Sequence, residues 1–320
     1  MFFMLNELRR DYFLDRYVII AVGRGKRPND FLHIGSVEVE GGKQCFFCPG
    51  NESSTPPEIS RVEEAGKWIV RVFPNKFPAV TPEAGEGSEY LMPAYGRHEV
   101  VVETPDHDKS VGDLSVERIA KVLEVYTERV KSLLTDDKVE YVLVFKNHGR
   151  AAGASLAHTH TQIISLPVVP KLVREEAEAA ERFLQEKGSC PLCDAWRKED
   201  EGPRAVYGDE YIACFTPYAS RSPFEAWLMP KRHVRCLDDL DVDERLSMAK
   251  GIKLILSKLK GGLSDPPYNL YFHVSPAGDD LHMHVEILPK LSTWAGFELG
   301  SDMIINTMAP EAAAEFYRQK

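Results

Sequence analysis

The sequence has no hydrophobic run long enough to cross a membrane, and it has an excess of acidic over basic charge. Its longest apolar runs, such as 17–22 and 141–145, are far shorter than the roughly 18 to 20 residues of a membrane-spanning helix. The N-terminus lacks the charged start and the small-residue cleavage site of a secretory signal. With 39 basic and 49 acidic side chains, the formal net charge is −10, which disfavours nucleic-acid binding because such binding depends on Lys and Arg. We therefore expect a cytoplasmic protein with neither a membrane nor a nucleic-acid partner.

Cysteine is also scarce, but its placement is informative. Four of the six cysteines form two Cys-x-x-Cys pairs, and each pair is followed by a lone histidine, a helical stretch, a strand and a His-x-His motif. The intervals between these features nearly match in the two halves, which predicts an internal repeat. The chain is also about two domains long. The residues that recur in this order are Cys45, Cys48, His107, His158 and His160, then Cys190, Cys193, His233, His282 and His284.

The intervening elements support an α+β fold with a mainly antiparallel sheet and helices packed on it. In the first copy, Ser115 can cap a helix that ends near Thr135, and a short apolar strand follows at 141–145. The second copy has a helix at 241–260 and a strand at 268–274. Earlier strands are expected at 17–22, 68–73 and 99–103. An acidic helical linker at 171–188 places the boundary between an N-terminal half, 1–175, and a C-terminal half, 176–320.

The cysteine pairs and the histidines predict two zinc sites. Zn²⁺ takes four converging thiolate or imidazole ligands in a structural site. Because four protein ligands close the coordination sphere, these metals would hold the strands in place and would not activate water. The alternative interpretation is that the pairs are buried small residues or redox pairs. The two sets are Cys45, Cys48, His107 and His158, and Cys190, Cys193, His233 and His282.

His160 is left without a metal role and is a candidate nucleophile. On a strand it shares one face with His158 and Gln162. The preceding stretch, 146–155, is small, glycine-containing and positive, and it can cradle a phosphate with backbone N–H groups. The second copy has carboxylates in the corresponding loop and Glu286 in place of the glutamine, and these would repel a phosphate. We therefore expect the first repeat to be catalytic and the second to be structural.

These residues resemble the galactose-1-phosphate uridylyltransferases, a branch of the histidine-triad superfamily. The similarity spans the chain in an ordered series of segments, at 8–11, 17–28, 45–57, 73–78, 104–107, 145–162 and 295–300. It implies two histidine-triad-like repeats, usually in a homodimer whose active sites borrow residues from the partner. The implied activity is that of a UDP-glucose–hexose-1-phosphate uridylyltransferase, in which UMP passes from UDP-glucose to galactose 1-phosphate through a covalent uridylyl-histidine and gives UDP-galactose.

The resemblance also assigns roles to single residues. His160 would be the nucleophile. Some relatives hold iron or zinc through a linker glutamate and three histidines, for which Glu176, His273, His282 and His284 are available; we favour the cysteine set because thiolates bind zinc tightly. In the substrate site, Gln162, Ser155 and Asn147 would bind the nucleotide phosphates, Arg24 and Arg27 would add positive charge, Asn75 would lie near the nucleoside, and Phe297 and Asp302 would contact the hexose.

Three other functions stay open at the sequence level. Similar proteins act as ADP-glucose phosphorylases, which transfer AMP to inorganic phosphate. A more distant enzyme is a dinucleotide hydrolase or phosphorylase of the wider superfamily. A non-enzyme alternative is a zinc-stabilised module that binds nucleotides or nucleic acid, but the acidic charge and the histidine beside the metal set disfavour it.

Overall fold

The computed structural model describes residues 6–26, 45–83 and 85–319. Its helices are α1 (Val116–Leu133), α2 (Lys171–Lys187), α3 (Pro191–Glu199), α4 (Val242–Leu263), α5 (Gly296–Ser301) and α6 (Pro310–Arg318). Its strands are β1 (Glu7–Arg10), β2 (Tyr17–Ile20), β3 (Ser60–Glu64), β4 (Lys67–Pro74), β5 (His98–Val102), β6 (Tyr141–His148), β7 (His160–Leu166), β8 (Ala205–Gly208), β9 (Ile212–Phe215), β10 (Ala226–Pro230), β11 (Tyr268–His273), β12 (His284–Pro289) and β13 (Ile304–Asn306). In these residues no helix combines the length and the apolar character that crossing a bilayer requires.

Ten of these strands form one sheet with internal symmetry. Their order is β3-β4-β5-β7-β6-β11-β12-β10-β9-β8, and the neighbouring pairs are antiparallel. Strands β3 to β7 thus have counterparts in β8 to β12, in the same relative order, and the two sets join where β6 pairs with β11. This symmetry confirms the internal repeat, and the mixed α+β class with its antiparallel sheet is as predicted.

The two long helices between equivalent strands pack on the sheet and on each other. Helix α1 begins as the sequence predicts, because the Ser115 hydroxyl accepts a hydrogen bond from the Arg118 N–H at 3.2 Å. Helix α4 has the same kind of start, with the Asp241 carboxylate 2.8 Å from the Glu244 nitrogen. Such a cap contributes about 1 kcal/mol to stability. The buried side of α1 carries Ile119 and its apolar neighbours at three- and four-residue spacing.

A second, smaller sheet lies apart from the repeat and has the order β1-β2-β13. Strand β2 pairs antiparallel with β1 and parallel with β13. Helix α5 leads into β13, whereas the chain that follows β2 forms a 3-10 turn at Val22–Lys26. Because β2 and β13 are parallel, α5 and this turn lie towards opposite ends of the pair.

Candidate active site

His160 is the first residue of β7 and is held in one tautomer. Its Nδ1 lies 2.9 Å from the backbone oxygen of His158, and a carbonyl oxygen only accepts, so Nδ1 carries the proton and Nε2 the lone pair. The side chain is 7% exposed. Burial and the nearby Lys146 ammonium lower the pKa of His160 to about 4. The imidazole is therefore neutral near pH 7, as a nitrogen nucleophile must be.

An apolar wall connects His160 to the first cysteine pair. Phe47, which lies between Cys45 and Cys48, places its ring edge-on at 5.4 Å from the His160 ring, measured between centroids. Phe47 also packs against Phe73 of β4 at 5.5 Å. The turn that carries Cys45 and Cys48 therefore forms one side of the surroundings of His160.

The two predicted phosphate-binding amides lie on β7 and β6, which are neighbours in the large sheet. Gln162 follows on β7, opposite Phe145 of β6, and its Oε1 lies 2.8 Å from His98 Nε2. Asn147 lies further along β6, and its Oδ1 accepts a hydrogen bond from Asn269 Nδ2 at 2.8 Å. Both amides therefore have their oxygen occupied, which leaves their NH₂ groups to donate.

The loop between β6 and β7 has the compact form expected of a phosphate cradle. Gly149 and Gly153 adopt φ angles of 77° and 93°, which favour glycine, on either side of a 3-10 turn at Arg150–Ala152. A Cβ on Gly153 would lie 3.5 Å from Asn147 Nδ2. Ser155 follows this turn and precedes β7. The loop thus lies beside the amide of Asn147.

The other predicted substrate residues divide into two groups. Asn75 follows β4, and its Nδ2 lies 3.2 Å from the His98 ring that contacts Gln162, so it belongs to the same neighbourhood. In contrast, no hydrogen bond, ion pair or ring contact of the described residues joins Arg24, Phe297 or Asp302 to the histidine strand. These three residues are exposed and lie beside the small sheet. Arg27 lies outside the described residues.

The first predicted metal set assembles. The ligand atoms of Cys45, Cys48, His107 and His158 all lie within 4.8 Å of one another. His158 points Nδ1 at the sulfurs while its Nε2 lies 2.8 Å from the Thr104 carbonyl oxygen, a partner that orients a metal-binding imidazole. Burial and the adjacent Cys45 raise the pKa of Cys48 to about 11, and a bound cation would reverse this preference for the thiol. The donor set fits a tetrahedral zinc ion.

The second predicted metal set assembles in the same way. Cys193 Sγ lies 3.3 Å from His282 Nδ1 and 3.6 Å from His233 Nδ1. The ligand atoms of these residues and Cys190 lie within 4.8 Å of one another. His233 also has an outer partner, because its Nε2 lies 3.1 Å from an Asp280 oxygen. This group too has the donor chemistry of a structural zinc site.

The alternative metal set does not assemble as predicted, because His282 belongs to the cysteine group. Glu286 takes its place and joins Glu176, His273 and His284 in a fully buried group whose ligand atoms lie within 4.8 Å of one another. Each of these four residues has one buried side-chain nitrogen or oxygen that makes no hydrogen bond of good geometry. Two carboxylates and two imidazoles form a donor set that fits a divalent cation.

A buried ion pair behind His160 was missed at the sequence level. Lys146, expected to supply positive charge to the loop, instead places its ammonium 2.6 Å from the Glu103 carboxylate and 2.9 Å from the His160 carbonyl oxygen. The hydroxyls of Thr159 and Thr161 donate to the same carboxylate, each at 2.6 Å. The charge in the loop therefore comes from the exposed Arg150.

Comparison with known proteins identifies relatives over the whole chain. Residues 7–170 match the family model described as the N-terminal domain of galactose-1-phosphate uridyl transferase, and 189–296 match one described as the C-terminal binding region of scavenger mRNA decapping enzyme. An ADP-glucose phosphorylase of Arabidopsis thaliana is 34% identical over 98% of this chain and 92% of its own length. A galactose-1-phosphate uridylyltransferase of Thermotoga maritima is 30% identical, over 98% of both chains.

Solved structures extend the similarity to the fold. The crystal structure of an ADP-glucose phosphorylase from Arabidopsis thaliana with bound ADP-glucose superposes with a TM-score of 0.87 at 33% identity, over 99% of each chain. A uridylyltransferase structure gives a TM-score of 0.77 at 30% identity and covers 98% of this chain and 97% of its own.

Proposed function

Because this chain belongs to the galactose-1-phosphate uridylyltransferase family, we propose that it transfers UMP between UDP-glucose and galactose 1-phosphate through His160. The observation that carries this proposal is the state of His160, a buried, neutral imidazole whose Nδ1–H is held by a backbone carbonyl. A second observation supports it: the amides of Gln162, on the strand of His160, and of Asn147, on the neighbouring strand β6, keep their N–H donors available for a phosphate.

The reaction proceeds as a double displacement. In the first half, the Nε2 lone pair of His160 attacks the α-phosphorus of UDP-glucose; an N–P bond forms, and the bond from phosphorus to the bridging oxygen breaks with its electron pair going to glucose 1-phosphate. In the second half, a phosphate oxygen of galactose 1-phosphate attacks the same phosphorus, and the electron pair of the N–P bond returns to Nε2. The hydrogen bond to the His158 carbonyl stabilises the positive charge that the ring gains in between.

The substrate residues keep the roles that the resemblance implies. Gln162, Asn147 and Ser155 donate to the phosphate oxygens, which supplies electrostatic stabilisation as charge develops on them. Asn75 lies near the nucleoside, with Arg24 and Arg27 adding positive charge. Phe297 and Asp302 contact the hexose, and their position beside the small sheet supports a homodimer in which they serve the partner's site. The exposed ring of Phe297, 47% accessible, is consistent with this.

A second donor is favoured by a specific observation. The Arabidopsis protein with bound ADP-glucose has a TM-score of 0.87, higher than that of the uridylyltransferase structure above. In this second candidate function, His160 accepts AMP from ADP-glucose, and inorganic phosphate removes it to give ADP. The chemistry at phosphorus is the same, so the two functions differ only in the base that the nucleoside site accepts and in the acceptor.

Intact-protein mass distinguishes these candidates. The protein is incubated separately with UDP-glucose and with ADP-glucose, without acceptor, and is then chased with galactose 1-phosphate or inorganic phosphate. We expect one uridylyl group per chain, discharged by galactose 1-phosphate. An adenylyl group that only phosphate discharges would replace the first candidate with the second, and the absence of any adduct would contradict both.

We further propose two zinc ions per chain, in the two cysteine and histidine groups. Each would act as a structural cross-link, with no step of the reaction passing through it. The buried group of Glu176, His273, His284 and Glu286 does not include His282 and offers a separate place for an iron ion, which would not add to the zinc count. We also propose a cytoplasmic location, because cysteine pairs that bind metal are typical of a reducing compartment. The catalytic half would span 1–175 and the structural half 176–320.

Metal analysis of variants tests the two zinc sites. We expect about two zinc equivalents per chain in the wild type, and about one in His158→Ala or in Cys193→Ala, because a tetrahedral site that lacks a ligand binds weakly. The measurement is elemental analysis of purified protein after dialysis. In the matched control, His284→Ala, both cysteine-bound equivalents should remain. Unchanged zinc in Cys193→Ala would contradict the second site.

A further inference from the structure

The amides of Gln162 and Asn147 are each held by a residue that does not itself reach the phosphate site. A side-chain amide is nearly symmetrical in shape, so it presents its oxygen or its NH₂ with little steric preference. Only the NH₂ group attracts a phosphate, whereas the oxygen repels it. The proposed reaction therefore requires each amide to have one particular orientation. In the structure, a hydrogen bond from a neighbouring side chain sets that orientation.

The orientation of the Gln162 amide is set by His98 on the neighbouring strand β5. The backbone N–H of Ala79 points at His98 Nδ1 at 3.2 Å. A backbone N–H only donates, so Nδ1 carries the lone pair and Nε2 carries the proton. His98 Nε2–H therefore donates to Gln162 Oε1 at 2.8 Å, and the amide nitrogen of Gln162 faces away from the ring.

The Asn75 amide does not compete with Gln162 for the Nε2 proton of His98. The Asn75 amide lies 3.2 Å from Nε2 through its nitrogen, because its oxygen accepts the Phe77 N–H at 2.9 Å. That amide thus offers no acceptor that could compete with Gln162. His98 is 8% exposed, and burial lowers its pKa, so the ring stays neutral near pH 7.

The orientation of the Asn147 amide is set by Asn269 on β11, in the second repeat. The two residues are directly opposite each other where β6 pairs with β11. Asn269 Nδ2 lies 2.9 Å from the backbone oxygen of Ala152, which only accepts, and this fixes the orientation of the Asn269 amide. The same NH₂ group donates to Asn147 Oδ1 at 2.8 Å. Asn147 therefore keeps its own NH₂ free beside Gly153.

We propose that His98 and Asn269 are positioning residues that lock the amides of Gln162 and Asn147 with their N–H groups towards the transferred phosphate. In each case a backbone group orients a side chain, which in turn orients the amide. The Ala79 N–H orients His98, and the Ala152 carbonyl orients Asn269. The inference rests on the proposed function, because it takes the phosphate to bind between these amides. It also gives the second repeat a part in catalysis.

The test measures the rate of adduct formation in a single turnover, with saturating UDP-glucose or ADP-glucose, whichever labels the wild type. His98→Leu removes one donor, and Asn269→Leu removes the other. We expect each variant to slow adduct formation by about tenfold, less than the 10² to 10³ lost when a donor is deleted outright. The dissociation constant of the donor should change much less than the rate, because the amides matter most as charge develops on phosphate.

Three comparisons separate this role from a structural one. Ser165→Ala removes a hydrogen bond from the Arg97 N–H on the same strand pair, 2.8 Å long, and should leave the rate unchanged. His98→Gln keeps an N–H donor and should recover most of the rate. In a Gln162→Ala background, His98→Leu should have no further effect on the rate, since no amide remains to be oriented.

The outcomes distinguish this inference from the proposed function. Normal adduct formation in His98→Leu and Asn269→Leu, with none in His160→Ala, would overturn the positioning role and leave the function intact. A wild type that forms no adduct with either donor would overturn both. If Asn269→Leu fails to fold, Asn269→Asp is used instead; its carboxylate turns the Asn147 amide around, and a wild-type rate in that variant would overturn the inference.

Discussion

His160→Ala is expected to abolish formation of the nucleotidyl-protein adduct, with a loss of at least about 10⁴-fold in nucleotidyl transfer. Alanine removes the nitrogen that forms the bond to phosphorus, and His158, which lies on the same face, points its Nδ1 at the cysteine sulfurs and its Nε2 at the Thr104 carbonyl. No lone pair of that neighbouring ring is thus directed at the donor. Intact mass after incubation with UDP-glucose and with ADP-glucose measures the effect.

The zinc content of His160→Ala should equal that of the wild type, because His160 is outside the metal group. This measurement matters, since a loss of metal would explain inactivity without any role as a nucleophile. Adduct formation at an appreciable rate in a metal-replete His160→Ala protein would show that another residue carries the nucleotidyl group.

His284 provides a matched control, because it occupies the equivalent position in the second repeat. Its Nδ1 lies 3.2 Å from the backbone oxygen of His282, which repeats the hydrogen bond of His160. The two sites differ in what surrounds the ring. Nε2 of His284 faces the Glu286 carboxylate at 3.7 Å, whereas His160 is followed by the neutral Gln162. A carboxylate in that place repels phosphate, so His284→Ala should still form the adduct.

The parts of the site that could be predicted from the sequence are those set by local rules. Thiolate and imidazole ligands have recognisable spacings, and the period of two along a strand places His158, His160 and Gln162 on one face. The Ser115 cap correctly predicted the start of α1, and α4 begins one residue after the predicted start at 241. Strands β8 and β9 were missed because each is only four residues long and carries no clear alternation of polar and apolar residues.

The supporting residues could not be predicted, because their partners are distant in sequence. His98 reaches Gln162 across a strand pair, and Asn269 reaches Asn147 across the junction of the two repeats. Which residues face each other there depends on the register of the sheet, and no local pattern reveals it. Lys146 shows the same limit: it was counted as part of a positive, glycine-containing loop, whereas its ammonium pairs with the buried Glu103 carboxylate.

The largest expected effect on stability comes from breaking that buried pair. Glu103 and Lys146 are 0% and 2% exposed, and their charged atoms lie 2.6 Å apart. Burial alone would raise the pKa of Glu103, but the Lys146 ammonium and the surrounding hydroxyls lower it, so the carboxylate stays ionised. Lys146→Met would leave this charge without its counter-ion, which costs about 3 to 5 kcal/mol of unfolding free energy. Urea unfolding followed by circular dichroism measures the loss.

The double variant Lys146→Met with Glu103→Gln tests whether the cost arises from the unpaired charge. Glutamine removes the buried ion but keeps an oxygen that accepts from the surrounding hydroxyls, so the double variant should recover much of the stability lost by Lys146→Met alone. Lys121→Met breaks an exposed pair with Glu124 on α1 and should leave the unfolding midpoint nearly unchanged. If Lys146→Met behaved like this control, the pair would not support the strand. Lys146 also donates a hydrogen bond to the backbone carbonyl oxygen of His160. Because the double variant lacks this hydrogen bond to the strand that carries the nucleophile, we expect it to fold but to transfer nucleotide more slowly.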